Sequence, residues 1–254
     1  MKRLWTWLIA LMVAAPASAQ QADERALQVA DAMVKAMGGA KAFEQTRYLR
    51  FNFAAEREGR PAGPPVEHLW DRRTGRYRVA WTRDGKRYLA LFNVNTQLGK
   101  AYADSQEVTG EDLERALKAA YGRFINDTYW LLMPCKLRDP GVRLKYEGER
   151  QEEGVTYDVV ALSFNEGIGL TPKDRYWAYV NRETGLMDRW AFVLKGADVP
   201  PTPFLWKNWQ TYGKIKLSNE RVNPANGNKI LFPALAVPEE VDDRVFEDPN
   251  AAVP

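Results

Sequence analysis

The first clear periodicity in the chain is helical. Leu27, Ala30, Val34 and Met37 recur at spacings of three and four and share one face, which predicts an amphipathic helix over residues 23–37. Asp23 and Glu24 suit its start, and Gly38-Gly39 supplies its stop. A short helical turn is expected through Ala42 and Phe43. From Tyr48 the period changes to two: Leu49, Phe51 and Phe53 fall on one side, Tyr48, Arg50 and Asn52 on the other. Runs at 66–70, 77–82 and 88–94 continue as strands, with a shorter one near Tyr102. Arg73-Thr74-Gly75, Asp84-Gly85 and residues 95–99 supply turns. Asp-Gly between alternating runs is a hairpin signal, because both central positions of a type I′ turn need positive φ.

Residues 109–125 break this meander with a helix. Leu113, Ala116, Leu117, Ala120, Tyr121 and Phe124 form an apolar stripe, with Thr109 as the expected N-cap and Asp112 three residues on. A second short helix is expected at 127–133, opened by a turn at Asn126-Asp127-Thr128 and stopped by Pro134. Strands resume at 143–148, 156–164, 175–181, 187–195, 205–212 and 214–220, with a weaker one at 230–232. Segments 60–65 and 196–203 are rich in Pro and Gly and read as loops. With no repeat and no long linker, the expectation is one α+β domain, mostly antiparallel β, with about ten strands and a few helices.

The N-terminus changes this picture. Lys2 and Arg3 precede an apolar run from Leu4 to Ala15, interrupted only by Thr6, and Ala17-Ser18-Ala19 has the small-x-small pattern of a signal cleavage site. The run is too short to cross a bilayer core of about 30 Å as a helix. The expected organisation is therefore a signal peptide at 1–19, cleaved after Ala19, then a single β-rich domain at 20–254 with a flexible C-terminal tail. The expected location is the periplasm. The full chain carries 36 basic and 33 acidic residues. Without Lys2 and Arg3 the balance is nearly neutral, which argues against a nucleic-acid partner. Cys135 is the one cysteine, so no internal disulfide is available and the core must hold the domain.

Candidate chemistry is sparse. His68 is the one histidine, and Gly-x-Ser-x-Gly does not occur, which argues against a zinc site and a serine triad. No catalytic residue, metal ligand or cofactor is assigned. Gly167-Ile168-Gly169-Leu170-Thr171-Pro172 reads as a turn between strands. Asp127, Arg138 and Asp139, or Asp174 and Arg175, are polar positions beside aromatic ones, open both to acid–base work and to capping and ion pairing. The tryptophans are the stronger signal: Trp70, Trp81, Trp130, Trp177, Trp190, Trp206 and Trp209 lie on or near predicted strands and a helix. Large rings with polar tips suit the lining of an apolar pocket as well as a core.

The N-terminal helix ending in Gly38-Gly39, followed by a long meander with an inserted helix, resembles the LolA/LolB-like lipoprotein-carrier superfamily. The stretches 126–141, 167–177 and 184–190 resemble more closely a bacterial exported family of unknown function near that superfamily. The resemblance implies a curved, incomplete β-barrel closed by helices, with an apolar ligand held in the concave face of the sheet. The resemblance assigns no residue a role; the ligand-binding residues expected from the aromatic positions and their polar neighbours are Trp70, Trp81, Tyr129, Trp130, Arg138, Trp177 and Trp190. The expected partners are a lipid or a lipidated protein, with transient membrane contact, and the oligomeric state is left open. Two other readings stay open: a periplasmic hydrolase using Asp127, Asp139 or Asp174, and an envelope assembly factor without a small ligand.

Overall fold

The computed structural model describes residues 23–167 and 171–253. The leader expected at 1–19 and positions 168–170 of the glycine turn lie outside the described residues. Asp23 caps α1 (Glu24–Ala36), accepting from the backbone N–H of Arg25 at 3.0 Å and of Ala26 at 3.3 Å. Its second carboxylate oxygen accepts from the Tyr146 N–H at 3.0 Å, which ties the helix start to the sheet. α1 stops at Gly38, whose φ is 115°. A Cβ there would lie 2.5 Å from the Lys214 carbonyl oxygen, so the close approach requires glycine. α2 (Ala40–Gln45) follows directly.

Among the described residues, fourteen strands form one antiparallel sheet. The first half holds β1 (Tyr48–Arg57), β2 (Arg60–Pro61), β3 (Val66–Asp71), β4 (Arg76–Arg83), β5 (Lys86–Asn93), β6 (Gly99–Ala103) and β7 (Gln106–Glu107). The second half holds β8 (Val142–Glu152), β9 (Val155–Phe164), β10 (Arg175–Asn181), β11 (Met187–Val193), β12 (Thr202–Tyr212), β13 (Ile215–Val222) and β14 (Lys229–Leu231). Sequence neighbours pair throughout the second half, and in the first half β1 pairs with β3 while the short β2 pairs with β1 off the main path. β1 and β14 join the halves through Ala54↔Leu231, Ala55↔Ile230 and Glu56↔Lys229. The sheet is curved and does not close; its ends are β7 and β8. The antiparallel, incomplete barrel with a few helices is thus the one expected. Asp84 and Gly85 take φ of 52° and 77°, which gives the β4–β5 hairpin the turn that Asp-Gly favours.

The inserted segment departs from expectation. It is one helix of 23 residues, α3 (Gly110–Leu132), followed by a 3-10 turn at Met133–Lys136. No break occurs at Asn126-Asp127-Thr128, because neither polar side chain is needed as a cap. Asp127 is bound by His68 at 3.1 Å, and the Thr128 hydroxyl donates to the Phe124 carbonyl at 2.6 Å. At the other end Thr109 is the N-cap residue, but its side chain makes no cap bond. α3 spans both halves of the sheet. Ala116 and Ala120 pack on the first half with Tyr77, Val79 and Phe92, whereas Leu131 and Leu132 enter the larger core with α1 and the second half.

The C-terminal stretch, expected as a flexible tail, is instead packed on the face of the sheet opposite the helices. Val245 and Phe246 are buried against Tyr48 and Leu69, the outward-pointing side chains of β1 and β3. The Arg78 guanidinium donates to the carbonyls of Val245 at 2.9 Å, Asp248 at 3.0 Å and Pro249 at 2.9 Å.

Candidate functional site

Strand alternation decides where the expected site residues go. Trp190 faces the helices and is 2% exposed. Its ring packs against Tyr129 at 5.6 Å, Trp130 at 4.8 Å and Trp206 at 5.8 Å. Tyr129, Trp130 and Trp190 therefore come together, under the C-terminal end of α3, as part of the main core. Trp81 lies in the second core, stacked on Tyr88 at 5.3 Å and 4% exposed, with no face left for a ligand. Trp177 has the parity opposite to that of the inward Tyr176 and Ala178, and the Arg175 guanidinium sits 5.8 Å from its ring. These two residues do not join the others.

Trp70 and Arg138 do share a cavity. A cleft of about 790 Å³ opens between α1, α2, the end of β3 and the 3-10 turn after α3. Val34, Phe43, Trp70 and Leu132 form its apolar floor. Phe43 and Leu132 are buried residues of the main core, so the floor is continuous with that core. Cys135 also lines it, and burial pushes its thiol up to about 12, which leaves it protonated and poorly nucleophilic.

The rim is charged. Arg138 approaches Asp31 at 3.5 Å and Lys136 bonds Asp139 at 3.1 Å, two ion pairs between partly exposed side chains. Arg72 is different. Its Nη1 donates to the carbonyls of Phe43 and Thr46, the latter at 2.7 Å, bracing the end of α2. Its Nε is buried without a partner, and no carboxylate pairs with it among the described residues. Burial lowers its pKa from the ordinary value. The Trp70 ring lies 5.6 Å from this guanidinium, and the Trp70 indole N–H also lacks a partner. Nothing in the sequence marks Arg72 as a site residue beyond its parity, which extends the inward series of Val66, His68 and Trp70 by one more step.

Two further buried polar groups hold the helices in place. The His68 Nδ1 is 2.8 Å from the Tyr77 hydroxyl and its Nε2 is 3.1 Å from Asp127. A neutral imidazole satisfies both, with Tyr77 donating to Nδ1 and Nε2–H donating to Asp127. Arg221 of β13 is fully buried. It donates to the carbonyls of Trp130 at 3.1 Å and Ser218 at 2.8 Å, and lies 3.6 Å from the Trp206 ring centre. The carboxylates that a hydrolase would need do not form one centre. Asp127 is bound to His68, Asp139 to Lys136, and Asp174 accepts from the Tyr176 hydroxyl at 3.0 Å and the Lys195 N–H at 2.7 Å. Among the described residues no group of three His, Cys, Asp or Glu side chains could hold a metal.

No known family profile matches the chain. No curated protein matches it either. Solved structures do. A DUF1329 family protein from Desulfovibrio piger is similar to it with a TM-score of 0.51 and 12% identity, over 88% of this chain and 97% of that one. The chain shares its fold. A LolA superfamily protein from Nitrosomonas europaea is similar with a TM-score of 0.48 and 11% identity, over 87% of this chain and 96% of that one. A domain described as outer membrane lipoprotein-sorting, from Vibrio parahaemolyticus, has a TM-score of 0.48 and 7% identity, over 88% and 96%. The LolA superfamily that the sequence resembles is thus among the matched structures, and so is a family of proteins with a domain of unknown function.

Proposed function

We propose that this chain is an exported carrier or binder of an apolar ligand, taken into the cleft between α1, α2 and the turn after α3. The observation that carries the reading is the cleft's construction. Its volume of about 790 Å³ lies within the range of small-molecule sites, roughly 300–1,000 Å³, and its floor is apolar while its rim is charged. An alkyl chain on that floor gains about 0.8 kcal/mol for each methylene it buries. Trp81, Trp190 and Trp206 are buried, whereas Trp70 lines this cleft, which favours the cleft over the aromatic cluster around Trp190 as a place a ligand can reach. The signal-like pattern of residues 1–19 supports export, which suits a protein that moves a poorly soluble molecule between membranes.

The test uses the protein purified from the periplasm and examined by native mass spectrometry. A co-purifying species of lipid mass, released on denaturation, is the expected result. Ala40 is exposed and lines the cleft. Ala40→Trp therefore fills the cleft without disturbing the core, and should weaken binding at least tenfold with an unchanged unfolding midpoint. Binding that survives this substitution, or a protein that takes up no apolar molecule, would sink the reading.

A further inference from the structure

The cleft holds more positive than negative charge once its ion pairs are set aside. Arg138 is neutralised by Asp31, and Lys136 by Asp139. Lys35, Arg72 and Glu44 remain, each without an ion-pair partner among the described residues. Arg72 is the one that reaches the apolar floor, beside Trp70. Its guanidinium uses Nη1 for the two α2 carbonyls. The other edge, Nε and Nη2, makes no hydrogen bond among the described residues. That edge presents two parallel N–H donors, the geometry that accepts a carboxylate or phosphate in bidentate fashion. A half-buried guanidinium without a counter-charge is unfavourable, and an oxyanion that reaches Nη2 and displaces the packing over the buried Nε offsets that cost.

Resting on the carrier reading, we propose that the ligand is an amphiphile with an oxyanion head, a carboxylate or phosphate, on a long alkyl chain. The Nε–Nη2 edge of Arg72 takes the head, Lys35 adds long-range attraction at the mouth, and the chain lies along Val34, Phe43, Trp70 and Leu132. The two parts of the cleft then have separate tasks. The floor supplies affinity for any chain of the right length, and Arg72 supplies the choice between charged and uncharged heads. Small anions without a chain gain only the second contribution and bind weakly.

The experiment is calorimetric titration of the purified protein with palmitate, dodecyl phosphate, methyl palmitate, acetate and inorganic phosphate. The expected result is a preference of at least tenfold for palmitate and dodecyl phosphate over methyl palmitate, the scale of one charge-assisted hydrogen-bonded pair. Acetate and inorganic phosphate should bind far more weakly than either amphiphile. Arg72→Gln should bring palmitate down to the affinity of methyl palmitate; the ratio of the two affinities is the readout, which a general loosening of the α2 brace does not mimic. Arg72→Lys keeps the charge but loses the fork, and should retain only part of the preference. Equal binding of palmitate and methyl palmitate by the unaltered protein would overturn the proposal and leave the carrier reading standing. So would a preference that survives Arg72→Gln. Acetate or phosphate binding as tightly as the amphiphiles would overturn it as well, and uptake of no compound at all would remove the carrier reading with it.

Discussion

His68 is the one histidine of the chain, and it is completely enclosed between β3, β4 and α3. Burial lowers its pKa from the ordinary 6.5, the nearby Arg123 adds to the effect, and Asp127 and Glu67 oppose it. The folded protein therefore binds the proton less readily than the unfolded chain. Stability is fully present above about pH 6.5 and falls as pH drops below that value, by at most about 1.4 kcal/mol per pH unit. Urea midpoints between pH 7.5 and 5 should decline for the natural protein. In His68→Gln, whose amide can still bond Tyr77 or Asp127, that decline should flatten; an unchanged slope would show that His68 is not its source. Much of this was readable in advance. His68 has the inward parity of Val66 and Trp70, and Asp127 continues the stripe of Leu113, Leu117, Ala120 and Phe124 by one more step of three. A carboxylate on an apolar stripe opposite an inward histidine implies a buried pair. Arg72 and Arg221 were harder to find, because an arginine at an inward position near a strand end is equally compatible with a side chain that bends back to water.

At the level of elements, glycine geometry and turn chemistry were the most legible features. Gly38-Gly39 reads as a helix stop, but the sequence does not distinguish their roles. Both have positive φ, at 115° and 87°, yet a Cβ on Gly39 meets nothing within 4 Å, whereas one on Gly38 collides with the Lys214 carbonyl. Gly39→Ala should therefore cost only the strain of its backbone, about 1–3 kcal/mol, and Gly38→Ala distinctly more. Equal losses in thermal unfolding of the two variants would mean that the close approach to the β12–β13 turn contributes nothing. The continuity of α3 was not legible, for a definite reason. Asn, Asp and Thr in sequence compete for backbone hydrogen bonds in a free peptide and so signal a cap. Here His68, supplied by a strand about sixty positions earlier, occupies Asp127 instead.

For the molecule as a whole, alternation and hairpin signals were enough to give an antiparallel meander with an inserted helix. They could not give the direction in which each tryptophan points or the fate of the C-terminal stretch. That stretch is held through three carbonyls by Arg78 and through Val245 and Phe246 by outward apolar side chains. Deleting residues 242–253 should cost about 3 kcal/mol and raise the fluorescence of a dye that binds exposed apolar surface, because Tyr48 and Leu69 are uncovered. A truncated protein with unaltered urea midpoint and dye response would show the stretch to be an ornament. The junction of β1 with β14 carries a different consequence, one of time. Within each half every strand pairs with a near neighbour in sequence, so each half can assemble quickly. The junction unites positions roughly 175 apart through three residue pairs, and cannot form until the whole chain is present. Closure between the halves is then the slow event of folding, and until it happens the apolar faces meant for α1 and α3 stand open, so the rate of that one pairing sets how long a newly made chain is vulnerable to aggregation.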